Sequence, residues 1–234
     1  VVLSQINTLI FPNDGVQGTI PSEYSNLTAL KVFVMNDNRL TGTFPASLIE
    51  NTPLMSTLGF SSNSLRGEIP QFATLENLVI LRLDGNQFTG MIPTEILSQE
   101  SLRVMELFDN NLSGMIPSAI YDMTRLQHLD IRNNYLSGTI SNEIGNMTDL
   151  VSFRASTNRF NGTVPDTIQD LTNLSSLSLH RNQLDGLILP KLKNLVLLSI
   201  LELHDNSFTG TIPSELAELT RLNVLTLAEN KFEG

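Results

Sequence analysis

The 234-residue chain has no cysteine and no tryptophan. Without thiols it can form no disulfide, hold no metal through thiolates and use no cysteine nucleophile. That absence does not fix a compartment, because the interior of a stacked repeat protein needs no disulfides. Positive charge is also scarce. Fourteen Lys and Arg against 24 Asp and Glu leave a formal net charge of −10, which argues against nucleic acid as a partner. No apolar run is long enough to cross a bilayer. The richest, Leu195 to Leu203, is interrupted by Ser199 and Glu202. Neither end carries a charged tail.

What the chain does have is a beat. Gly18, Gly42, Gly67, Gly90, Gly114, Gly138, Gly162, Gly186, Gly210 and Gly234 follow one another at 24 residues, apart from one interval of 25 and one of 23. A fixed period of this size is the signature of a solenoid, in which each unit buries its apolar edge only by stacking on the next. The expectation is therefore a single array over residues 1–234 of about ten repeats. The chain starts inside an apolar-periodic segment and stops on a repeat glycine, as expected of a fragment of a longer array.

Each slot of the repeat has a physical role. Around Gly138 the unit reads Leu126, Leu129, Ile131, Asn134, Leu136, Gly138, Ile140; around Gly210 it reads Leu198, Leu201, Leu203, Asn206, Phe208, Gly210, Ile212, Pro213. Apolar residues two apart, such as Leu129 and Ile131, give strand periodicity with one face buried. Four residues before each glycine stands an asparagine, or Asp14 in the first unit. A stacked amide there can satisfy backbone groups where the chain leaves the strand. The glycine suits a positive φ, and the proline that usually follows suits an irregular segment. Beyond it, apolar residues every third position (Ile168, Leu171, Leu174, Leu177) predict a short 3₁₀ return.

These residues resemble the leucine-rich repeat, and in particular its plant-type 24-residue class, with "LDIRNNYLSGTI" and "LELHDNSFTGTIP" close to the family pattern. The resemblance implies an α/β right-handed leucine-rich-repeat solenoid. It would have a parallel concave β-sheet, short 3₁₀ or irregular convex segments, and a second short strand near Gly-x-Ile-Pro. Relatives of this kind include receptor-kinase ectodomains and polygalacturonase-inhibiting proteins, which bind ligands on the concave or lateral face. Four features depart from the pattern. The family's cysteine-paired caps are missing, Ser141 replaces a proline, Leu189 takes a proline slot with Pro190 displaced by one, and the first repeat has Asp14 for Asn and Val16 for Leu, as expected of an irregular edge unit.

The register sorts residues into core and surface. One concave row is Val34, Gly59, Arg82, Glu106, Asp130, Arg154, Ser178, Glu202, Thr226. A second is Asn36, Ser61, Asp84, Phe108, Arg132, Ser156, His180, His204, Ala228. Phe108 is an aromatic residue in a solvent-facing slot among charges, the composition of a binding hot spot. The candidate ligand-binding residues are thus Phe108, Glu106, Asp109, His128, Asp130, Arg132 and Arg154. A plainer account makes Arg82–Glu106 and Asp130–Arg154 a cross-strand charge ladder, and Arg181–Asp205 a salt bridge.

Other arrangements weigh less. His180 and His204 beside Glu202 and Asp205 have the residue types of a zinc site, but adjacent surface histidines are commoner than metal sites. No metal or cofactor is expected. His128, Ser152 and Asp130 make a nominal catalytic set, yet on an open sheet with no oxyanion hole, so the chain is not expected to be an enzyme. The row after each glycine (Thr19, Thr43, Glu68, Met91, Met115, Thr139, Thr163, Leu187, Thr211) could suggest an ice-binding threonine ladder, but four members break it. Five glycosylation sequons, at Asn26, Asn111, Asn146, Asn161 and Asn173, favour the secretory route and an extracellular or cell-surface location. The expected function is an extracellular module recognising a protein, peptide or glycan through its concave or lateral face. The alternative is a structural or scaffold component of a cell-wall, cell-surface or other large assembly.

Overall fold

The computed structural model describes residues 5–72 and 74–233, with only the backbone described for Leu97, Ser98 and Glu215. Gly234, the tenth glycine of the series, lies outside the described residues. Two compact units divide the chain, Val1–Ser113 and Gly114–Gly234.

In the first unit the strands Thr8–Ile10, Val32–Val34, Thr57–Gly59, Ile80–Arg82 and Val104–Glu106 pair in parallel in chain order. In the second, His128–Asp130, Ser152–Arg154, Ser176–Ser178, Ile200–Glu202 and Val224–Thr226 do the same. Each five-strand run is the main parallel sheet of its own unit. The middle residue of each strand from Val32–Val34 to Ile200–Glu202 is buried. Phe33, Leu58, Leu81, Met105, Phe153, Leu177 and Leu201 are fully buried, and this row is the spine of the core. Phe72, which reaches the core if the 23-residue repeat shifts register by one, is fully buried as well.

A second set of short parallel strands lies around the glycines, from Gln17–Thr19 to Gln87–Thr89 in the first unit and from Tyr135–Gly138 to Lys231–Glu233 in the second. Short 3₁₀ turns complete the repeats, with a proline of extended ψ ahead of Ser22–Asn26, Thr94–Ser98, Ser118–Asp122, Asp166–Asp170 and Ser214–Glu218. Ser141 replaces such a proline by another route: its Oγ accepts from the Glu143 N–H and caps the turn. Among the described residues the return predicted as 3₁₀ becomes an α-helix once, at Ala46–Asn51, inside the 25-residue interval from Gly42 to Gly67. The extra residue gives room for a full i→i+4 turn, and Thr52 Oγ1 donates to the Leu48 carbonyl at its end.

Asparagines tie each repeat to its predecessor. The Asn86 amide donates to the carbonyls of Phe60, Leu83 and Asp84, and its oxygen accepts from the Leu65 N–H. The same pattern recurs at Asn38, Asn63, Asn158, Asn182 and Asn206. Each amide satisfies carbonyls that turn away from the ladder in two successive repeats, which is why no other side chain serves equally well.

Candidate functional site

In the first unit the ladder places Val34, Gly59, Arg82 and Glu106 in one outward row. Arg82 Nε donates to Glu106 Oε2 at 2.6 Å, so this pair is the cross-strand ladder that the sequence suggests. Beside it, Ser61 Oγ donates to Asp84 Oδ1 at 2.7 Å, and the Ser61 N–H donates to Asn36 Oδ1. Burial raises the Asp84 carboxyl above the usual carboxylate range, against the lowering effect of the Ser61 bond, and the nearby Glu106 charge adds to the rise. Phe108 is half-buried, so part of its ring is already covered. Asp109 occupies the left-handed region at φ 53°, as do the residues at the same slot in other repeats, including Asp37, Asn133 and Asp205. Its residue type thus answers a backbone requirement as well as a surface one.

In the second unit the corresponding row is Asp130, Arg154, Ser178, Glu202 and Thr226, paired strand by strand. Asp130 is not an outward contact residue. Its side chain is only 10% exposed, beneath two guanidiniums that are 39% and 36% exposed. Arg132 Nε stands 3.4 Å and Arg154 Nη1 3.9 Å from Asp130 Oδ2, and the Arg132 N–H also donates to Asp130 Oδ1. The buried carboxylate therefore anchors two arginines whose outer edges face solvent. A ladder of residue types gives the neighbours in a row but not which long side chain folds over which, so this layering escapes sequence reasoning.

The same geometry decides the nominal catalytic set. His128 and Ser152 are ladder neighbours, but Asp130 is turned to Arg132 and Arg154. His180 and His204 stack with ring centroids 4.3 Å apart and planes 11° from parallel. His204 Nδ1 lies 2.8 Å from Thr226 Oγ1, and His180 Nδ1 lies 4.0 Å from Glu202 Oε2. Burial lowers the His180 pKa below the ordinary histidine value, and His204 lowers it further. Ser178 Oγ donates to Glu202 Oε2 at 2.5 Å. Among the described residues no group of three His, Cys, Asp or Glu is arranged to hold a metal ion. Arg181 Nε and Asp205 Oδ2 pair at 3.2 Å, the expected surface bridge.

Glu202 is the residue that composition alone underrates. Among the described residues it meets no arginine or lysine, only a serine hydroxyl and a depressed imidazole. The signal was available in its row, two strands from Arg154. Asn26, Asn111, Asn146, Asn161 and Asn173 are all exposed. No helix among the described residues is long and apolar enough to cross a membrane.

Comparison with known proteins agrees with this architecture. A sequence model described as leucine rich repeat matches residues 76–136, and another of the same description matches 173–195 and 197–219. Pollen receptor-like kinase 2 of Arabidopsis thaliana is 34% identical over 92 residues, covering 39% of this chain and 14% of that protein. The structure of the Arabidopsis receptor kinase HAESA, in complex with the peptide hormone IDA and the co-receptor SERK1, superposes with a TM-score of 0.92 at 33% identity. It covers 99% of this chain and 39% of that one. A plant ice-binding protein superposes with a TM-score of 0.89 at 25% identity, over 97% of this chain and 73% of that one. The chain thus spans well under half the length of the receptor kinases it matches. Repeat, register and fold together make the chain similar to plant-type leucine-rich-repeat proteins, among them the ectodomains of plant receptor kinases.

Proposed function

We propose that the chain is an extracellular recognition module that binds a peptide or protein ligand on its concave strands. Its contact residues would be His128, Arg132 and Arg154 in the second unit, with Asp130 beneath the arginines to position them. The observation that carries this reading is the Asp130 anchor. Two guanidiniums held on one buried carboxylate leave a net positive, preorganised surface, and preorganisation lowers the ordering cost of binding. The likeness to a receptor that binds a peptide hormone supports the ligand class. The five exposed sequons support passage through the secretory route.

The threonine row supports an ice-binding surface less well. In the second unit Met115 and Leu187, 67% and 51% exposed, interrupt Thr139, Thr163 and Thr211, and Glu68 and Met91 interrupt the row in the first. Selection of a random-peptide display library on the chain tests the proposal. Retained clones should bind about tenfold more weakly to Arg132→Glu and Arg154→Glu. A library from which nothing is retained, or clones indifferent to both substitutions, would overturn it.

A further inference from the structure

The second unit's concave row is electrically polarised, and its two charged ends do not neutralise each other. Arg154 turns toward Asp130, on the strand before it. Glu202, two strands further on, is held by Ser178 and flanked by His180. Between them lies Ser178, short, uncharged and only 3% exposed, so the row sets no ionic partner between Arg154 and Glu202. A simple ladder would have set opposite charges on adjacent strands, as Arg82 and Glu106 are. Here an anion with no cationic side chain among the described residues faces an arginine pair across a serine.

We infer that this row reads a ligand peptide carrying an acidic and a basic side chain, the acid over Arg132 and Arg154 and the base over Glu202. The inference rests on the proposed peptide recognition and specifies its ligand. Adjacent strands stand about 4.8 Å apart, so Arg154 and Glu202 are separated by roughly 10 Å across the sheet. A ligand peptide in polyproline II conformation advances about 3.1 Å per residue with about three residues per turn, so two charges about three positions apart span that interval and project from the same face. The residues between them are small and uncharged, because the row offers no charged partner at Ser178. Glu202 accepts the basic group without losing its support. The Ser178 bond uses Oε2, and the other carboxylate oxygen keeps its acceptor capacity. His180, neutral in this setting, leaves the Glu202 charge intact for the ligand.

Synthetic Gly/Ser peptides carrying one Asp and one Lys at varied separation, in both orders, provide the probe, with binding followed by titration calorimetry or NMR. The peptide with the two charges about three positions apart should bind at least about tenfold more tightly than those with adjacent charges. Glu202→Lys should abolish that preference and favour a peptide with two acids, while sparing a peptide with Asp alone. Arg154→Glu should do the reverse. Ser178→Leu, which fills the interval, should weaken the spaced peptide alone. If peptides bind and lose affinity on Arg154→Glu, but neither spacing nor Glu202→Lys matters, the charge pattern is wrong and peptide recognition stands. If no peptide binds, in this set or the random library, both fall. Circular dichroism of each variant separates loss of binding from loss of fold.

Discussion

His180 and His204 stack face to face on neighbouring repeats of the concave sheet, and the Nδ1 atom of His180 is buried without a hydrogen-bond partner. A half-buried imidazole whose surroundings disfavour its charged form links stability to pH. Burial lowers the folded-state pKa of His180 below its ordinary 6.5, the adjacent His204 and Arg181 push the same way, and Glu202 and Asp205 oppose them. As pH falls through 6.5 the unfolded chain takes up a proton that the folded chain refuses. The stabilisation is complete above that pH and is lost as pH drops toward the folded value. The melting temperature should therefore decline on acidification from neutral pH. His180→Phe, which keeps a ring over His204 but cannot titrate, should decline less. Equal slopes for the two proteins would show that His180 does not carry the effect.

Asn86 offers a test of the repeat itself. The two N–H groups of its amide reach three carbonyls between them, its oxygen accepts one bond, and the residue is only 8% exposed. Asn86→Ala leaves the Leu65 N–H and the Phe60 carbonyl short of a partner, at about 1–3 kcal/mol for each orphaned group. Asn86→Asp keeps the acceptor but faces three carbonyls with a carboxylate. It should be at least as destabilising at neutral pH and recover part of the loss as the acid protonates. Urea denaturation at two pH values reads both effects. An Asp variant as stable as the native chain at neutral pH would overturn this account of the ladder.

The contrast between ladder and rows shows how far the sequence can be read. Glycines and asparagines recur because backbone geometry leaves them few substitutes, so the register they announce is reproduced strand by strand, as Asp130 opposite Arg154 and Glu202 opposite Thr226 show. The period-two alternation then gives the side of the sheet on which each residue lies. It does not give depth. Asp130, Ser176 and Ser178 all lie on the outward side and are all buried, because longer neighbours cover them. Asp109 looks like a contact residue until its left-handed backbone shows a second reason for its type. Side-chain layering on an open sheet depends on rotamers, and a linear pattern carries no record of them.

The five sequons make the secretory proposal testable by mass spectrometry. All five asparagines are exposed, and the Asn173 amide that donates to the Thr148 carbonyl keeps one N–H for that bond after a sugar is attached. Expressed through a eukaryotic secretory pathway, the chain should carry glycans at Asn26, Asn111, Asn146, Asn161 and Asn173, and enzymatic deglycosylation should convert those sites to Asp. A secreted, folded chain with every sequon bare would remove this support. Asn161 has a further consequence. It lies within Arg159–Thr163, between Thr139 and Thr163 on the surface of the second sheet, so a glycan there would keep that surface from a flat crystalline plane.

Gly210 and Leu187 provide the last test, because strain and contact can be separated there. Gly210 has φ +90°, and a Cβ added to it would stand 2.5 Å from Leu187 Cδ2, on the preceding repeat. Gly18 has φ +95° with nothing within 4 Å of an added Cβ. Alanine at either position meets the left-handed penalty, about 1–2 kcal/mol. Only at Gly210 must a neighbour also move. Leu187 is 51% exposed, so its side chain can swing outward at the expense of its packing, and the added cost should be of order 1 kcal/mol rather than that of a core clash. Gly210→Ala should thus lose more stability than Gly18→Ala in denaturant unfolding. In a Leu187→Ala background the difference should shrink to the error of the measurement. If the difference survives removal of the Leu187 side chain, the glycine at this slot is required by φ and by its place in the unit, and the packing of successive repeats plays no part.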